Sequence, residues 1–423
     1  MVTALRRKAG GLASASLLLM ISMTVVNAGN YVYNLIMGRW LGPAMFADVS
    51  LIVTLLLVIT FITVPLQLVA ARYSALAVAE GNLEPLAAMR RWLTRVALVI
   101  GLVLVAIFCL PSRYWSNFFN TASAAPFLLF GWALPFGLMQ GVNRGILQGQ
   151  TRFLTLAATY QVEMWSRLLL GVLLVWAGYS ANGAVLGISL SFVLTWLASL
   201  TARRDLPAGG VLPNELRSAA AAFAFPVLVA QISQILINNS DILLVRRFYP
   251  PEQAGQYAAL ALVGRMVFFA TWSVVTTMFP IVAQRHQKGE PHRHLLWISL
   301  GIVGSISSLV LLATVLFPEA IVNILFGAQY LSIAPLLWLY ALATALYALA
   351  NVVINYRLSL GQGRETGFAL AAGAGMIAGI LLFHATLEQV VLVQVTVMAL
   401  LFVGLFARLL LQPEQPLAQQ TQQ

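Results

Sequence analysis

The chain has 423 residues, of which 60% are hydrophobic and only 9% charged; a water-soluble domain keeps roughly a quarter of its residues charged, so a soluble fold is excluded. The net charge of +11 lies in loops and not on one face, which excludes a nucleic-acid partner and reads as a membrane topology signal. The single cysteine, Cys109, lies in an apolar run, which excludes disulfides and thiolate metal sites.

A bilayer needs about 20 apolar residues per helix. The chain opens with Arg6, Arg7 and Lys8, followed by an apolar run over 13–37. That run is too long for a signal peptide and carries Asn27, Asn30 and Asn34, so it reads as a retained first helix. Further spans are expected at 44–70, 92–110, 124–142, 154–177 and 183–200, and a second set at 218–245, 254–282, 295–317, 332–355, 367–383 and 389–411. Between the sets lies a polar, breaker-rich stretch, Thr201 to Leu216, with Pro207, Gly209, Gly210 and Pro213. The expectation is an all-α polytopic protein of about twelve transmembrane helices in two six-helix bundles, 1–206 and 207–423.

Basic residues set the orientation. The N-terminus and alternate loops carry Arg72, Arg90, Arg91, Arg95, Arg144, Arg152, Arg203, Arg204 and Arg217, then Arg285, Lys288, Arg293, Arg357, Arg364 and Arg408. The opposite loops hold Arg39, Arg113, Arg246 and Arg247. The positive-inside rule then puts both termini of this inner-membrane protein in the cytoplasm.

The halves echo each other. Asn30 to Leu51 (NYVYNLIMGRWLGPAMFADVSL) parallels Asn238 to Leu260 (NNSDILLVRRFYPPEQAGQYAAL): each has an Asn, an apolar run, Arg39 or Arg247, and a breaker at Gly42-Pro43 or Pro250-Pro251. Asn143 to Arg152 (NRGILQGQTR) parallels Asn355 to Arg364 (NYRLSLGQGR), and Pro65 with Arg72 parallels Pro280 with Arg285. Both halves begin on the same side, so the repeat is parallel, about an axis along the membrane normal.

Polar residues inside spans face other helices or water, because lipid cannot solvate them. Asn27, Asn30 and Asn34, with Tyr31 and Tyr33, form one stripe. Gln231, Gln234, Asn238 and Asp241 form a second, and Tyr340, Thr344, Tyr347, Asn351 and Asn355 a third. Such stripes serve interhelical hydrogen bonds or line a wet cavity. Glu163 and Arg167, four apart, can neutralise each other on a face shared with Tyr160. Arg265 has no acid within one turn, so it needs a distant partner, a water-filled cavity or an anionic ligand. Arg39 and Arg247 stand at the outer ends of spans, as cavity residues or as cations snorkelling to the interface. Gly137, Gly141, Gly145 and Gly149 form a small-residue ridge for helix packing. The four histidines fall in or near loops, where His292 and His294 are expected to be solvated and are weak chelators at most. No nucleotide-binding glycine-lysine loop and no acid pair for glycosyl chemistry is present, so no enzyme and no cofactor is expected.

The NYVYNLIMGRWLGPAMFADVSL opening, its echo near Pro250, and the LQGQTR and LGQGR turns resemble the Wzx-type polysaccharide flippases of the multidrug/oligosaccharidyl-lipid/polysaccharide (MOP) exporter superfamily. The resemblance implies two six-helix bundles moving by alternating access, and an undecaprenyl-pyrophosphate-linked oligosaccharide as cargo. It also implies membrane lipids as surroundings, with a polysaccharide polymerase and glycosyltransferases as partners. Arginine suits the pyrophosphate, and Asn, Gln and Tyr suit the sugars. Two other readings stand beside it. One is a MATE-like cation-coupled drug exporter, which Glu163 and Asp241 would serve. The other is a non-transporting membrane subunit of a polysaccharide assembly complex.

Overall fold

The computed structural model describes residues 2–204, 206–207, 210–361 and 364–411, with side chains except at 2–16, 269–270, 272, 276 and 364–366. Among the described residues every regular element is helical, as a chain in lipid requires if it is to satisfy its own backbone polar groups. Nine runs among the described residues are long and apolar enough to cross a membrane. Two of these are double. The run Leu17–Glu80 breaks at Gly42, and Phe153–Arg203 breaks at Gly178, which makes eleven; the shorter apolar helix Gly367–Leu382 makes twelve.

The helices are α1 (Val2–Glu80), α2 (Glu84–Cys109), α3 (Ser112–Phe118), α4 (Ala125–Gly131), α5 (Leu134–Gly149), α6 (Phe153–Leu174) and α7 (Ser180–Ser199). They continue with α8 (Asn214–Phe248), α9 (Pro251–Gln287), α10 (Arg293–Leu316), α11 (Pro318–Leu325), α12 (Leu337–Ser359), α13 (Arg364–Leu382) and α14 (Leu387–Leu411). By packing, the chain divides into two compact units, 1–231 and 232–423. Six spans lie wholly in the first unit, α8 carries the division, and five follow in the second. Several helices outrun their expected spans. The second arm of α1 runs to Glu80, and α2 starts at Glu84. Apolarity marks the lipid-buried part of a helix, whereas backbone hydrogen bonding continues into the polar ends.

In the first unit, α5 is the buried element. Leu138, Val142, Ile146 and Leu147 are fully enclosed. The glycine ridge does the expected packing. A Cβ on Gly145 would collide with the Gln67 carbonyl and one on Gly149 with that of Ala71, while at Gly141 it would meet Thr63 Cγ2 at 2.7 Å. These three let α5 lie backbone to backbone on α1, whereas Gly137 faces the Phe192 ring of α7. Gly187 likewise brings α7 onto Gly171 of α6. Outward, Val99, Leu102, Val103 and Ile107 of α2 are exposed, an arrangement water would penalise and lipid favours.

In the second unit, Tyr356, Val352 and Ala348 of α12 pack with Val275, Met278 and Val282 of α9 and Leu296 and Val303 of α10. Three of the long helices hold a proline inside, Pro65, Pro226 and Pro280, which membrane helices tolerate where neighbours support the bent segment.

Candidate functional site: one buried polar cluster in each unit

The first unit holds a carboxylate between two guanidiniums. Glu163 and Arg167 lie one turn apart on α6, and Arg167 NH2 is 2.7 Å from Glu163 Oε1. The other oxygen, Oε2, is 2.7 Å from Arg144 NH1 on α5. All three side chains are largely enclosed, with 7%, 18% and 10% of Arg144, Glu163 and Arg167 exposed. Arg144 is fixed further: its Nε donates to Thr159 Oγ1 at 3.1 Å, NH2 donates to the Thr159 carbonyl at 3.0 Å, and the guanidinium lies 3.9 Å over the Tyr160 ring. Arg167 donates from NH1 to Asn30 Oδ1 at 3.1 Å, while its Nε is buried without a hydrogen-bond partner. Gln140 donates to Glu163, and Gln67 donates to both Gln148 and the Tyr160 hydroxyl. Two cations around one acid leave the cluster one positive charge in excess, in surroundings where unpaired charge is costly.

Arg144 corrects the sequence reading, which counted it among the loop charges. The fourth span was expected to end at residue 142, but α5 continues to Gly149 and carries Arg144 inside. The signal was present: a ridge of glycines reaching Gly149 packs only if the helix reaches Gly149. Arg357 was likewise read as a loop charge and is buried near the end of α12.

The second unit holds a different cluster. Asp241 Oδ2 accepts three hydrogen bonds, from Tyr257 of α9 at 3.1 Å, Tyr340 of α12 at 2.8 Å and Gln394 of α14 at 2.7 Å. Its Oδ1 is buried without a partner. Asn238, one turn away on α8, donates to the Gln234 carbonyl and to the Tyr347 hydroxyl, which itself donates to Gln234 Oε1 at 3.1 Å. The stripes of α8 and α12 thus meet through Tyr340 and Tyr347. Arg265 of α9 donates to the Asn238 carbonyl and to Asn239 Oδ1. Its Nε is buried without a hydrogen-bond partner, and among the described residues it has no ion pair. A cavity of about 40 Å³ adjoins it, lined also by Asn238, Tyr340, Thr344, Tyr347 and Gln394. That is room for one or two waters.

The other expected site residues divide. Asn34 donates to the Asn30 carbonyl within its own helix, Asn355 does the same toward Asn351, and Asn351 is buried. Gln231 is half-buried on α8, and Asn27 is exposed. Tyr33 is enclosed, with its hydroxyl on the Ala184 carbonyl of α7. Arg39 and Arg247 lie exposed at the ends of the first arm of α1 and of α8, and neither belongs to the cluster of its own unit. His292 is not solvated: it is buried between His286, at 3.2 Å, and the Tyr356 hydroxyl, at 3.0 Å. His294 pairs instead with Arg285. Among the described residues no group of three metal-ligating side chains occurs.

A family model described as a polysaccharide biosynthesis protein matches residues 12–286. Among solved structures, a multidrug resistance MATE family transporter of the MOP superfamily, in its inward-facing conformation, superposes with a TM-score of 0.77 at 12% identity, covering 93% of this chain and 98% of that one. The lipid II flippase MurJ, in an inward closed conformation, gives 0.72 at 11% identity, over 93% of this chain and 87% of that one. The MATE multidrug transporter DinF-BH, in complex with R6G, gives 0.67 at 17% identity over 95% of each chain. At such identities the likeness speaks for the fold, which is the MATE-like all-α polytopic one, and the twelve spans agree with it. No curated protein matches the chain in sequence.

Proposed function

The chain belongs to the polysaccharide biosynthesis protein family, and from that premise we propose that it is a flippase of the MOP superfamily. Its cargo would be an undecaprenyl-pyrophosphate-linked oligosaccharide, moved across the bacterial inner membrane by alternating access, with both termini in the cytoplasm. It carries out no covalent chemistry. The enzymes that build and polymerise the glycan are its functional neighbours.

One observation carries the reading: Arg265 of the second unit, half-buried with its Nε enclosed, lines a cavity and has no acid paired to it among the described residues. A half-buried guanidinium whose hydrogen-bond partners are all neutral is stabilised by an incoming anion, and its planar fork matches phosphate oxygens. The excess charge at Arg144 and Arg167 supports the same sign of cargo. The Asn, Gln and Tyr side chains around both clusters offer the donors and acceptors that sugar hydroxyls need.

A second reading, a cation-coupled exporter, draws on Asp241, whose Oδ1 is buried and free to take a proton or a cation. The two readings diverge in binding. Purified protein should bind a polyprenyl-pyrophosphate sugar more tightly than the cationic dye R6G, and Arg265→Ala should abolish that preference. Tight dye binding with no measurable binding of the lipid-linked sugar would overturn the flippase reading in favour of the exporter.

A further inference from the structure

A basic cleft of about 280 Å³ opens at one end of the first unit, lined by none of the residues of the Glu163 cluster. Its walls are the first turns of α2, with Arg91, Trp92 and Arg95, and the connection into α8, with Gly210, Val211 and Arg217. Arg91 donates from NH2 to the Gly210 carbonyl at 2.9 Å, which ties the connection to α2. The rest of its fork, Arg95 and Arg217 are left over. Among the described residues no carboxylate pairs with any of the three, and Arg217 Nε is buried without a hydrogen-bond partner. Arg90, beside them, also has a buried Nε without a partner. Such a gathering of cations repels itself unless an anion sits among them.

The surroundings of the cleft indicate which anion. Arg95 lies one helical turn before Val99, and Leu102 and Val103 continue the same face. These three are exposed by 60%, 54% and 53% along a span. The cations therefore stand at the foot of a lipid-facing apolar stripe. Trp92, a residue type that membrane proteins favour at the interface, lines the cleft below this stripe, and Val211, 87% exposed, projects from the opposite wall.

We propose that this cleft is a headgroup site for an anionic phospholipid: the phosphate is held by Arg91, Arg95 and Arg217, and an acyl chain lies along Val99, Leu102 and Val103. Basic pockets at the ends of transmembrane helices recognise lipid phosphates in this way. The occupant would pin the connection between the sixth and seventh spans to α2, whatever cargo the protein carries. A free phosphate would satisfy the arginines but make no use of the apolar stripe.

The test uses the purified full chain in detergent. Phosphatidylglycerol should raise the unfolding temperature, while phosphatidylcholine and inorganic phosphate should not. Arg95→Gln with Arg217→Gln should raise the half-saturating phosphatidylglycerol concentration at least tenfold. Brominated phosphatidylglycerol should quench wild-type fluorescence more than that of Trp92→Phe, a comparison that survives even if the arginine variant folds poorly. Equal stabilisation by both lipids, a full effect from inorganic phosphate, or identical quenching with and without Trp92 would each overturn the proposal. So would displacement of the brominated lipid by an equimolar polyprenyl pyrophosphate, which would make the cleft a dock for cargo.

Discussion

Arg144 and Arg167 approach the same carboxylate from two helices, each 2.7 Å from a different oxygen of Glu163. The acid thus holds together two cations that would otherwise repel. Its removal is then worse than the removal of either partner alone. Glu163→Gln should destabilise the protein by roughly 3–5 kcal/mol, the cost of stranding buried charge. Adding Arg144→Gln to Glu163→Gln should recover part of that loss. Thermal unfolding of the two single variants and the double variant in detergent measures the coupling; strictly additive losses would mean that the three groups do not act together.

Arg265 contributes charge-assisted hydrogen bonds worth about 1.5–3 kcal/mol each, so Arg265→Ala should weaken binding of a polyprenyl-pyrophosphate sugar by roughly ten- to a hundredfold. Arg265→Lys should restore only part, because the ammonium lacks the fork. Surface-polysaccharide export in a complemented deletion strain, with membrane levels checked by blotting, is the readout. Normal export by the Ala variant would remove this residue from the cargo path.

At Asp241 the three donors converge on one oxygen, so an amide can satisfy them only by presenting its carbonyl there. Its NH₂ would then occupy the place of the unpartnered Oδ1. Asp241→Asn should therefore fold with a loss of about 1–3 kcal/mol. If this carboxylate exchanges a proton during transport, the variant's export will no longer vary with external pH. An unchanged pH profile would assign Asp241 a structural part only.

The glycine ridge separates tolerant from intolerant positions. Gly145→Ala drives a methyl group into the Gln67 backbone, which cannot turn aside, whereas Gly137→Ala meets the Phe192 ring at 3.3 Å, and a ring can shift by a few tenths of an ångström. Membrane levels and unfolding temperature should fall sharply for the first and little for the second. Equal behaviour would show that α5 does not need its close approach to α1.

Orientation is tested from outside. A cysteine replacing Ser180, exposed at the turn between α6 and α7, should react with an impermeant reagent added to intact spheroplasts. One replacing Gly289, exposed at the turn before α10, should react only after the membrane is opened. The reverse pattern would invert the topology.

The spans and their number were legible because burial in lipid imposes a length and an apolarity that side-chain detail cannot hide. Of the polar stripes, those of α8 and α12 meet through Tyr340 and Tyr347, whereas Asn27 of the first is exposed. What periodicity cannot supply is the partner across the gap. Glu163 finds Arg167 at four residues' spacing, which the sequence displays, and Arg144 on another helix, which it does not. Asp241 collects donors from three different helices, and only Tyr340 belonged to a recognised stripe. His292 was misread because nearness to a turn was taken for exposure, although the turn folds its imidazole against Tyr356.

The join at Gly42 has a mechanical meaning. Its φ of 72° and ψ of 171° break the helix within a single residue, a conformation open to glycine and strained for any residue with a side chain. Helix resumes at once with Pro43, whose ring fixes the next torsion. No slack is left between residues 2–41 and 43–80, so a displacement of one arm is passed to the other at a pivot one residue long. An inserted tag or protease site at this point would uncouple the arms, and sequence length here is constrained as tightly as sequence identity.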